Sequence, residues 1–351
     1  MAALSLGWVR YLRYAPVRYR VTRFNGEGGV DDQTMIRRTF LEKVGRAALG
    51  AGVVVHARDS RAEQAVPNSA GTAPPALKAP PNACDCHHHI YDPARFPILN
   101  PGMPFPPNAR VEDYRLLQRR TGTTRSIVVQ PGPYITDNRV TLDAIAQLGP
   151  GSRGVAVVRP SVTDAELQAL DAGGIRGLRF SLNDARNGAV TLDMIEPLSR
   201  RVAALGWHVQ VNMLPDQIVA AGALWDRLPV PIVFDHLAGI RPPQGTTHQA
   251  YAVVRRLLDQ GRTWVKLSVT AGGSEDGPPG YADAVRVGQA YVNAAPERLV
   301  WGSNWPHPTE PVKPDDAQLF DLMARWVPDA RTRHRILVEN PEALYGFPAP
   351  A

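Results

Sequence analysis

Six consecutive residues, Cys84-Asp85-Cys86-His87-His88-His89, form the densest group of reactive side chains in the chain. Imidazoles, thiols and carboxylates are the side chains that hold metal ions or move protons. A Pro/Ala-rich run precedes the motif and Ile90-Tyr91 follow it, a pattern that predicts a β-strand. Alternate residues of a strand share a face, which separates Asp85, His87 and His89 from the other three residues. We therefore expect these three to converge on a ligand and both cysteines to pack away from it.

Seven further β-branched runs alternate with helical patterns after this motif. They cover residues 125–130, 154–159, 174–180, 207–212, 231–236, 264–268 and 298–302. Eight βα units predict a (β/α)₈ TIM barrel, preceded by a disordered N-terminal leader. An open doubly wound sheet is the structural alternative, but it usually carries a Gly-rich phosphate loop after its first strand, and the sequence has none there.

Polar or charged residues stand at or just after the end of nearly every predicted strand. They are His87, His89, Gln130, Arg159, Arg179, Asn212, Asp235, His236, Lys266, Asn304 and His307. In a TIM barrel the active site lies at the carboxyl ends of the strands, so we expect many of these side chains to surround one pocket. For Gln130, Arg159 and Asn212, hydrogen bonding within the loops is an equally good interpretation.

Three motifs together resemble the amidohydrolase superfamily over residues 82–348. They are Asp85-x-His87-x-His89 on the first strand, Asp235-His236 after the sixth, and Trp301-Gly-Ser-Asn-Trp-Pro-His-Pro308 after the eighth. The likeness is greatest to the lactonase branch, which includes 2-pyrone-4,6-dicarboxylate lactonase and sugar-acid lactone hydrolases and isomerases.

The resemblance implies a catalytic site of five residues: His87, His89, His236, Asn304 and His307. Relatives usually carry an aspartate at the position of Asn304, where it binds metal or activates water. An amide does neither job as well, because it has no negative charge to accept a proton. Many relatives also carry a Tyr-Arg pair after the seventh strand, whereas here Lys266-Leu267-Ser268 runs into Val269-Thr-Ala-Gly-Gly273. One anion anchor of those relatives is therefore missing.

The fourth predicted strand offers Arg176 and Arg179 where the superfamily's metal-dependent members carry a bridging lysine. Arginines oppose a divalent cation and favour an anionic substrate, so we predict an enzyme without a metal or other cofactor. The alternative is zinc held by His87, His89 and His236.

The predicted substrate contacts are made by Arg176, Arg179, Lys266 and Gln130. The arginine pair is expected to clamp a carboxylate, and Lys266 or protonated barrel histidines to stabilise an oxyanion. His236 and His307 are candidates for acid/base work, because free imidazole titrates near pH 6.5.

These roles predict a hydrolase that opens the lactone ring of a carboxylate-bearing metabolite. Lactone isomerisation is the first alternative, because a substrate hydroxyl needs less activation than water when it is held in place. A metal-dependent decarboxylase or hydrolase and a non-catalytic anion-binding barrel are the others.

The N-terminal segment resembles an export signal. Residues 35–43 contain an arginine pair followed by Phe-Leu, and a weakly apolar run and a small-residue site extend the segment to residue 57. We predict a twin-arginine signal recognised by the Tat machinery and a periplasmic location, with the cytoplasm as the alternative. Residues 58–81 are expected to be a linker, and residues 1–34 a possible non-native extension ahead of a true start at Met35.

The formal net charge of +6 comes from this leader. Residues 1–80 hold 12 Lys/Arg and 6 Asp/Glu, which leaves 27 of each in the remainder. A neutral barrel gives no case for nucleic-acid binding. Since no run of 18 apolar residues is present, no stable membrane anchor is expected.

Overall fold

The computed structural model describes residues 64–107, 109–270 and 273–348. Eight parallel strands follow one another in chain order around one sheet. They are β1 (Cys84–His88), β2 (Arg125–Val129), β3 (Ser152–Ala156), β4 (Ile175–Ser181), β5 (His208–Asn212), β6 (Ile232–Phe234), β7 (Thr263–Leu267) and β8 (Leu299–Trp301). Each predicted run overlaps one of these strands, so the predicted (β/α)₈ barrel is confirmed.

Helices lie between the strands and cover the outside of the barrel. They are α1 (Val111–Thr121), α2 (Arg139–Leu148), α3 (Asp164–Ala172), α4 (Ile195–Val202), α5 (Pro215–Ala220), α6 (Gly222–Trp225), α7 (Gln249–Asp259), α8 (Ala282–Ala294), α9 (Asp316–Trp326), α10 (Ala330–His334) and α11 (Asn340–Tyr345). Local sequence explains their bounds: Thr163 and Glu166 form a reciprocal capping box at the start of α3. Along α1, Val111, Tyr114 and Leu117 recur at helical spacing and are buried.

Two apolar layers divide the residues of the strands. The larger layer joins the outer strand faces to the helices, with Val128 and Phe234 among its members. The smaller layer lies inside the barrel and includes Cys84, Cys86 and Val300. Strands that are buried on both faces read as continuous β-branched runs, which is why the sequence revealed them.

Backbone bonds connect β1 with the loop after β8. The N–H of Asn304 donates to the carbonyl of His87 over 2.8 Å, and the N–H of His89 donates to the carbonyl of Trp305 over 2.9 Å. Gly302 permits this approach, because a Cβ there would lie 2.6 Å from the Cβ of His87. The first and last strands therefore meet beside the motif that opens the barrel.

Residues 64–81, here called the strap, pack against the outside of the barrel. Val66 is buried in the larger apolar layer, and the backbone N–H groups of Ala76 and Leu77 donate to Asp321 of α9. The predicted extension and export signal lie outside the described residues. Among the helices that the structure describes, none is long and apolar enough to cross a membrane.

Candidate active site

A β-bulge in β1 changes the predicted alternation of the motif. Between Asp85 and His88 the register with β2 shifts, so that three steps along β1 match two along β2. A bulge inserts one extra residue and re-aims the side chains beyond it. Both cysteines and His87 consequently face the barrel interior. The predicted division of the motif into two strand faces is therefore wrong, although neither cysteine lines the cavity at the carboxyl ends of the strands.

Asp85 does not converge on a ligand with the histidines, which corrects a second expectation. Its carboxylate accepts bonds from the N–H and Oγ of Ser303 at 2.9 and 2.6 Å, from Tyr114 Oη at 3.1 Å and from the N–H of His87 at 3.1 Å. Burial raises the pKa of Asp85 to about 6 against the opposing effect of these bonds. Asp85 thus joins β1 to α1 and to the loop after β8.

Asp235 is the carboxylate at the centre of the site, directly after β6. Its Oδ1 lies 3.1 Å from His87 Nδ1 and 3.4 Å from Lys266 Nζ. Its Oδ2 accepts from Arg179 Nε at 3.3 Å and from Gln210 Nε2 at 3.1 Å. Burial alone would raise the pKa of Asp235, but His87, Lys266 and Arg179 outweigh it and hold that pKa well below its usual value. The ionised carboxylate therefore organises four neighbours.

Lys266 lies under the pocket floor, which corrects its predicted role as a direct substrate contact. Its buried ammonium donates to the carbonyl of Cys86 and to Gln210 Oε1, both at 2.8 Å, and lies 3.3 Å from His87 Nδ1. Burial lowers the pKa of Lys266, while Asp235 opposes that shift. Its donors are engaged by these neighbours, so Lys266 can influence a substrate only through the groups above it.

The tautomer of His89 follows from its backbone partner. A carbonyl only accepts, so Nδ1 of His89 donates to the Val129 carbonyl at 2.8 Å. Its Nε2 lone pair then faces His87 Nε2 at 3.2 Å, while His87 Nδ1 lies 3.1 Å from the Asp235 carboxylate, so the single proton of a neutral His87 can serve only one of these two contacts. Burial lowers the pKa of His87 well below its ordinary value and that of His89 to about 3. Both rings are neutral near pH 7, which leaves the predicted oxyanion role of a protonated barrel histidine without support.

A cavity of about 280 Å³ opens at the carboxyl ends of the strands. Four of the predicted site residues line it: His89, Arg179, His236 and Asn304. Amides and hydroxyls from the ends of β4 and β5 and from neighbouring loops also line it: Ser181, Asn183, Asn212, Ser268 and Thr270. The site is therefore a pocket of mixed polar and apolar lining above a buried charged network.

His236 and Asn304 hold left-handed backbone conformations in the pocket wall, at φ 51° and φ 64°. Non-glycine residues adopt this region rarely, and such residues cluster at functional sites. Nδ1 of His236 lies 2.7 Å from Ser268 Oγ, which leaves Nε2 as the ring nitrogen for a substrate. Burial lowers the pKa of His236 to about 4 against the opposing charge of Asp235. His236 is thus a neutral proton acceptor at pH 7.

Arg176 and Gln130 do not line the pocket, so their predicted substrate contacts are corrected. Arg176 lies near the amino end of β4, where its guanidinium bonds to Asp171 of α3 at 3.1 Å. Gln130 donates to the carbonyl of Asp137 at 2.9 Å and accepts from Thr141 at 2.6 Å. The interpretation of Gln130 as a loop hydrogen-bonding residue is therefore the correct one.

His307 also lies outside the set of cavity-lining residues. It is buried, and its Nε2 lies 3.0 Å from the Asp316 carboxylate at the start of α9. Its backbone N–H donates to the carbonyl of Asn304 at 2.8 Å. The structure thus places His307 behind the loop that carries Asn304, away from direct contact with a substrate.

Arg241 and Tyr91 also line the pocket. They were not among the residues predicted from their position at the ends of the strands. Arg241 is exposed in the loop after β6, and within the described part of the chain its guanidinium has no ionic partner. Its only sequence signal was its position five residues after His236. Tyr91 lies two residues beyond His89, and alternation alone indicated the same side.

The donor set that comes closest to a metal site is His87, Asp235 and His236, whose ligand atoms lie within 4.8 Å of one another. Its charges do not suit a divalent cation. Lys266 and Arg179 already lie within 3.4 Å of the two carboxylate oxygens, and Lys266 also reaches His87 Nδ1. A metal ion there would be repelled at short range inside a buried region.

Comparison with known proteins covers the whole barrel. The sequence model of the amidohydrolase family matches residues 84–347. The chain is 33% identical over 282 residues to the 4-sulfomuconolactone hydrolase of Rhizobium radiobacter, which covers 79% of this chain and 94% of that protein. It is 36% identical over 289 residues to the D-galactarolactone isomerase of Agrobacterium fabrum, with 78% and 94% covered. An apo crystal structure from Agrobacterium tumefaciens superposes with a TM-score of 0.73 at 33% identity, over 81% of this chain and 99% of that one.

Proposed function

The chain belongs to the amidohydrolase family, and from that premise we propose that it hydrolyses a lactone of a carboxylate-bearing metabolite. The observation that carries the proposal is the pocket itself. A neutral His236 and the cationic Arg179 face one cavity, and the ionised Asp235 holds Arg179 from beneath. To open a cyclic ester, an active site needs at least a general base and, beside it, a hydrogen-bond donor that stabilises the oxyanion.

The proposed reaction uses His236 as the group that moves a proton. Nε2 of His236 takes a proton from water as the water oxygen bonds to the lactone carbonyl carbon. The terminal nitrogens of Arg179 and the side-chain NH₂ of Asn304 stabilise the negative oxygen that forms. The ring C–O bond then breaks, and His236 returns the proton to the leaving alkoxide. The products are an alcohol and a carboxylic acid on one open chain, and the acid then loses its proton to solvent to become a carboxylate.

Proton NMR of the purified protein with a panel of sugar-acid and pyrone lactones tests this function. Hydrolysis predicts an open-chain hydroxy acid. Loss of carbon dioxide would favour decarboxylation, and no change with any lactone would favour a barrel that only binds anions. Either of these results would overturn the proposal.

Lactone isomerisation is the second candidate, and Asn304 is the observation that favours it. An amide lines the pocket where relatives usually carry a carboxylate, so the chain lacks that group for activating water. A ring-shifted lactone in the same NMR experiment would identify an isomerase. Comparison with Asn304→Asp sharpens the result, because a restored carboxylate should raise hydrolysis at the expense of ring shift.

We further propose that the substrate is a hydroxylated acid with one carboxylate. Arg179 is already paired with Asp235, whereas Arg241 at the pocket mouth has no ionic partner among the described residues. Ser181 bonds to both Asn183 and Asn212 at 3.1 and 3.2 Å, which leaves further donors and acceptors of these amides for substrate hydroxyls. One free cation with several neutral polar groups matches a sugar-acid lactone.

Arg241→Ala is expected to raise KM for a carboxylate-bearing lactone about tenfold to a hundredfold, because one charge-assisted hydrogen bond is lost. The kcat value should change little. Arg159→Ala is the matched control, since Arg159 is an exposed arginine that lines a different groove. An equal rise in KM for a lactone that has no carboxylate would contradict the assignment.

We propose that the reaction needs no metal, on the strength of the two cations beside Asp235. Protein purified without added metal is expected to contain far less than one metal ion per chain. Treatment with a chelator should leave its turnover unchanged. Elemental analysis that finds stoichiometric zinc, together with loss of turnover on zinc removal, would refute this proposal.

We also propose export through the Tat pathway, which the arginine pair in residues 35–43 supports. N-terminal sequencing of the native protein is the test. A mature chain that begins close after residue 57 is the expected result, whereas any peptide from upstream of Met35 would rule out the proposed start.

A further inference from the structure

A hydrogen bond joins the strap to the Trp305 side chain in the loop after β8. The indole Nε1 of Trp305 donates to the carbonyl of Pro67 over 2.8 Å. The Trp305 side chain is fully buried, and its ring centroid lies 5.6 Å from that of Tyr114. A buried indole N–H needs a partner, and here the partner comes from outside the barrel.

The backbone on either side of this indole belongs to the pocket. Asn304 lines the cavity with φ at 64°, and its N–H donates to the carbonyl of His87. The carbonyl of Trp305 accepts from the N–H of His89. A left-handed asparagine persists only where its surroundings hold it, so the anchor of its neighbour matters.

The strap is itself fixed where it meets this loop. Arg120 of α1 donates to the carbonyl of Ala70 at 2.9 Å and to Ser69 Oγ at 3.1 Å. The same guanidinium bonds to Asp315 at 2.6 Å. Ser69 Oγ accepts from the N–H of Asp316 at 3.3 Å. The strap is thus held by α1 and by the start of α9 at the same time.

We propose that Trp305 is a positioning residue, whose bond to the strap holds Asn304 in its reactive placement. The inference rests on the proposed lactone chemistry for its effect on turnover, but the contact itself is independent of that chemistry. The strap lies before residue 84, where the family match begins. It therefore adds to the site a support that the barrel strands do not supply.

Trp305→Phe tests the inference, because it removes the indole N–H and keeps an aromatic ring. We expect kcat to fall about tenfold with KM nearly unchanged, as for a reacting group displaced by a fraction of an ångström. Exchange of the backbone N–H hydrogen of Asn304 with solvent should become faster. Trp225→Phe is the matched control, since Trp225 is equally buried and donates its indole N–H to the carbonyl of Ile218 at 3.0 Å on the outside of the barrel.

A double-mutant cycle with Asn304→Ala separates positioning from general stability. If Trp305 acts through Asn304, Trp305→Phe should cause no further loss of kcat in the Asn304→Ala background. Additive losses, or an unchanged Asn304 exchange rate, would overturn the proposal. Should Trp305→Phe not fold, Arg120→Gln loosens the same strap from α1 and should shift both readouts in the same direction.

The failure of the proposed function gives a different pattern. A wild-type protein that turns over no lactone defeats the reaction, and the exchange measurement alone then decides whether the strap holds the loop. Faster exchange without any change in kcat would show that the contact is real but does not serve catalysis, which also overturns the positioning role.

Discussion

Asp235→Asn is expected to lower kcat/KM about 10³-fold, the upper end of the effect of a lost electrostatic group in an active site. The carboxylate orders His87, Lys266, Arg179 and Gln210 by contacts of 3.1 to 3.4 Å. An amide keeps the shape but leaves the buried Lys266 without a counter-charge. Unfolding free energy should therefore also fall, by about 3 kcal/mol.

A second substitution distinguishes the loss of kcat/KM from the loss of unfolding free energy. Replacing both members of a buried ion pair by uncharged groups often restores stability. Asp235→Asn combined with Lys266→Met should thus recover most of the unfolding free energy in urea and almost none of the kcat/KM. Asp226→Asn is the control, because it removes a surface carboxylate that pairs with Arg256. Recovery of turnover in the double variant would show that Asp235 serves folding alone.

The second large effect is expected in acid. Burial lowers the pKa of five histidines: His87, His88, His89, His208 and His236. The unfolded chain takes up these protons as pH falls below about 6.5, whereas the folded chain takes them up only at lower pH, at about 4 for His236 and about 3 for His89 and His208. Stability from these groups is complete above pH 6.5 and is lost on acidification.

Asp85 acts in the opposite direction. Because its folded pKa is raised to about 6, the folded chain binds that proton more tightly and gains stability as pH falls. Five histidines less one aspartate leave a difference of about four protons, or about 5 kcal/mol per pH unit near pH 5. Typical domain stabilities are about 5–15 kcal/mol, so the barrel should unfold near pH 5.

Circular dichroism of unfolding by urea at several pH values measures this slope. His88→Phe should lower it by about one proton, since His88 stacks on Tyr114 at 3.6 Å and neither ring nitrogen has a bonded partner among the described residues. His88 faces away from the pocket, so turnover at pH 8 should survive the change. A wild-type slope below about two protons would contradict the assignment of buried neutral histidines.

The elements were predictable because their signal is physical and local. Buried parallel strands require β-branched residues on both faces, and Arg125–Val129 or Ile232–Phe234 show that composition. Asp235 and His236 were found by the same rule, since they follow directly on a strand. Gln130 and Lys266 satisfy the same rule but do not line the cavity, so position at a strand end identifies only some of the pocket residues.

The site predictions that the structure contradicts failed for identifiable physical reasons. The bulge at Cys86 and His87 has no sequence signature, so alternation misplaced Asp85 and both cysteines. Arg176 and Arg179 stand three positions apart, a spacing that places them on opposite faces of a regular strand. That spacing argues against a carboxylate clamp made by both arginines.

Arg241 could not be predicted as a pocket residue for a different reason. It lies in a loop, where neither strand period nor helix period fixes the direction of a side chain. Its proximity to Arg179 depends on the path of the chain after β6. No local pattern of residue types encodes that path.

The hydrogen bond between Asp85 and Ser303 can form only late in the synthesis of the chain. Its two residues are separated by 218 positions, so a growing chain carries His87 and His89 long before Ser303 and Asn304 exist. Closing a loop of this length is slow, and the entropic cost of closure arises in the last step of barrel assembly. The histidines of β1 therefore reach their final surroundings only after the last strand is made, and a chain that stops before residue 303 contains them without a complete pocket.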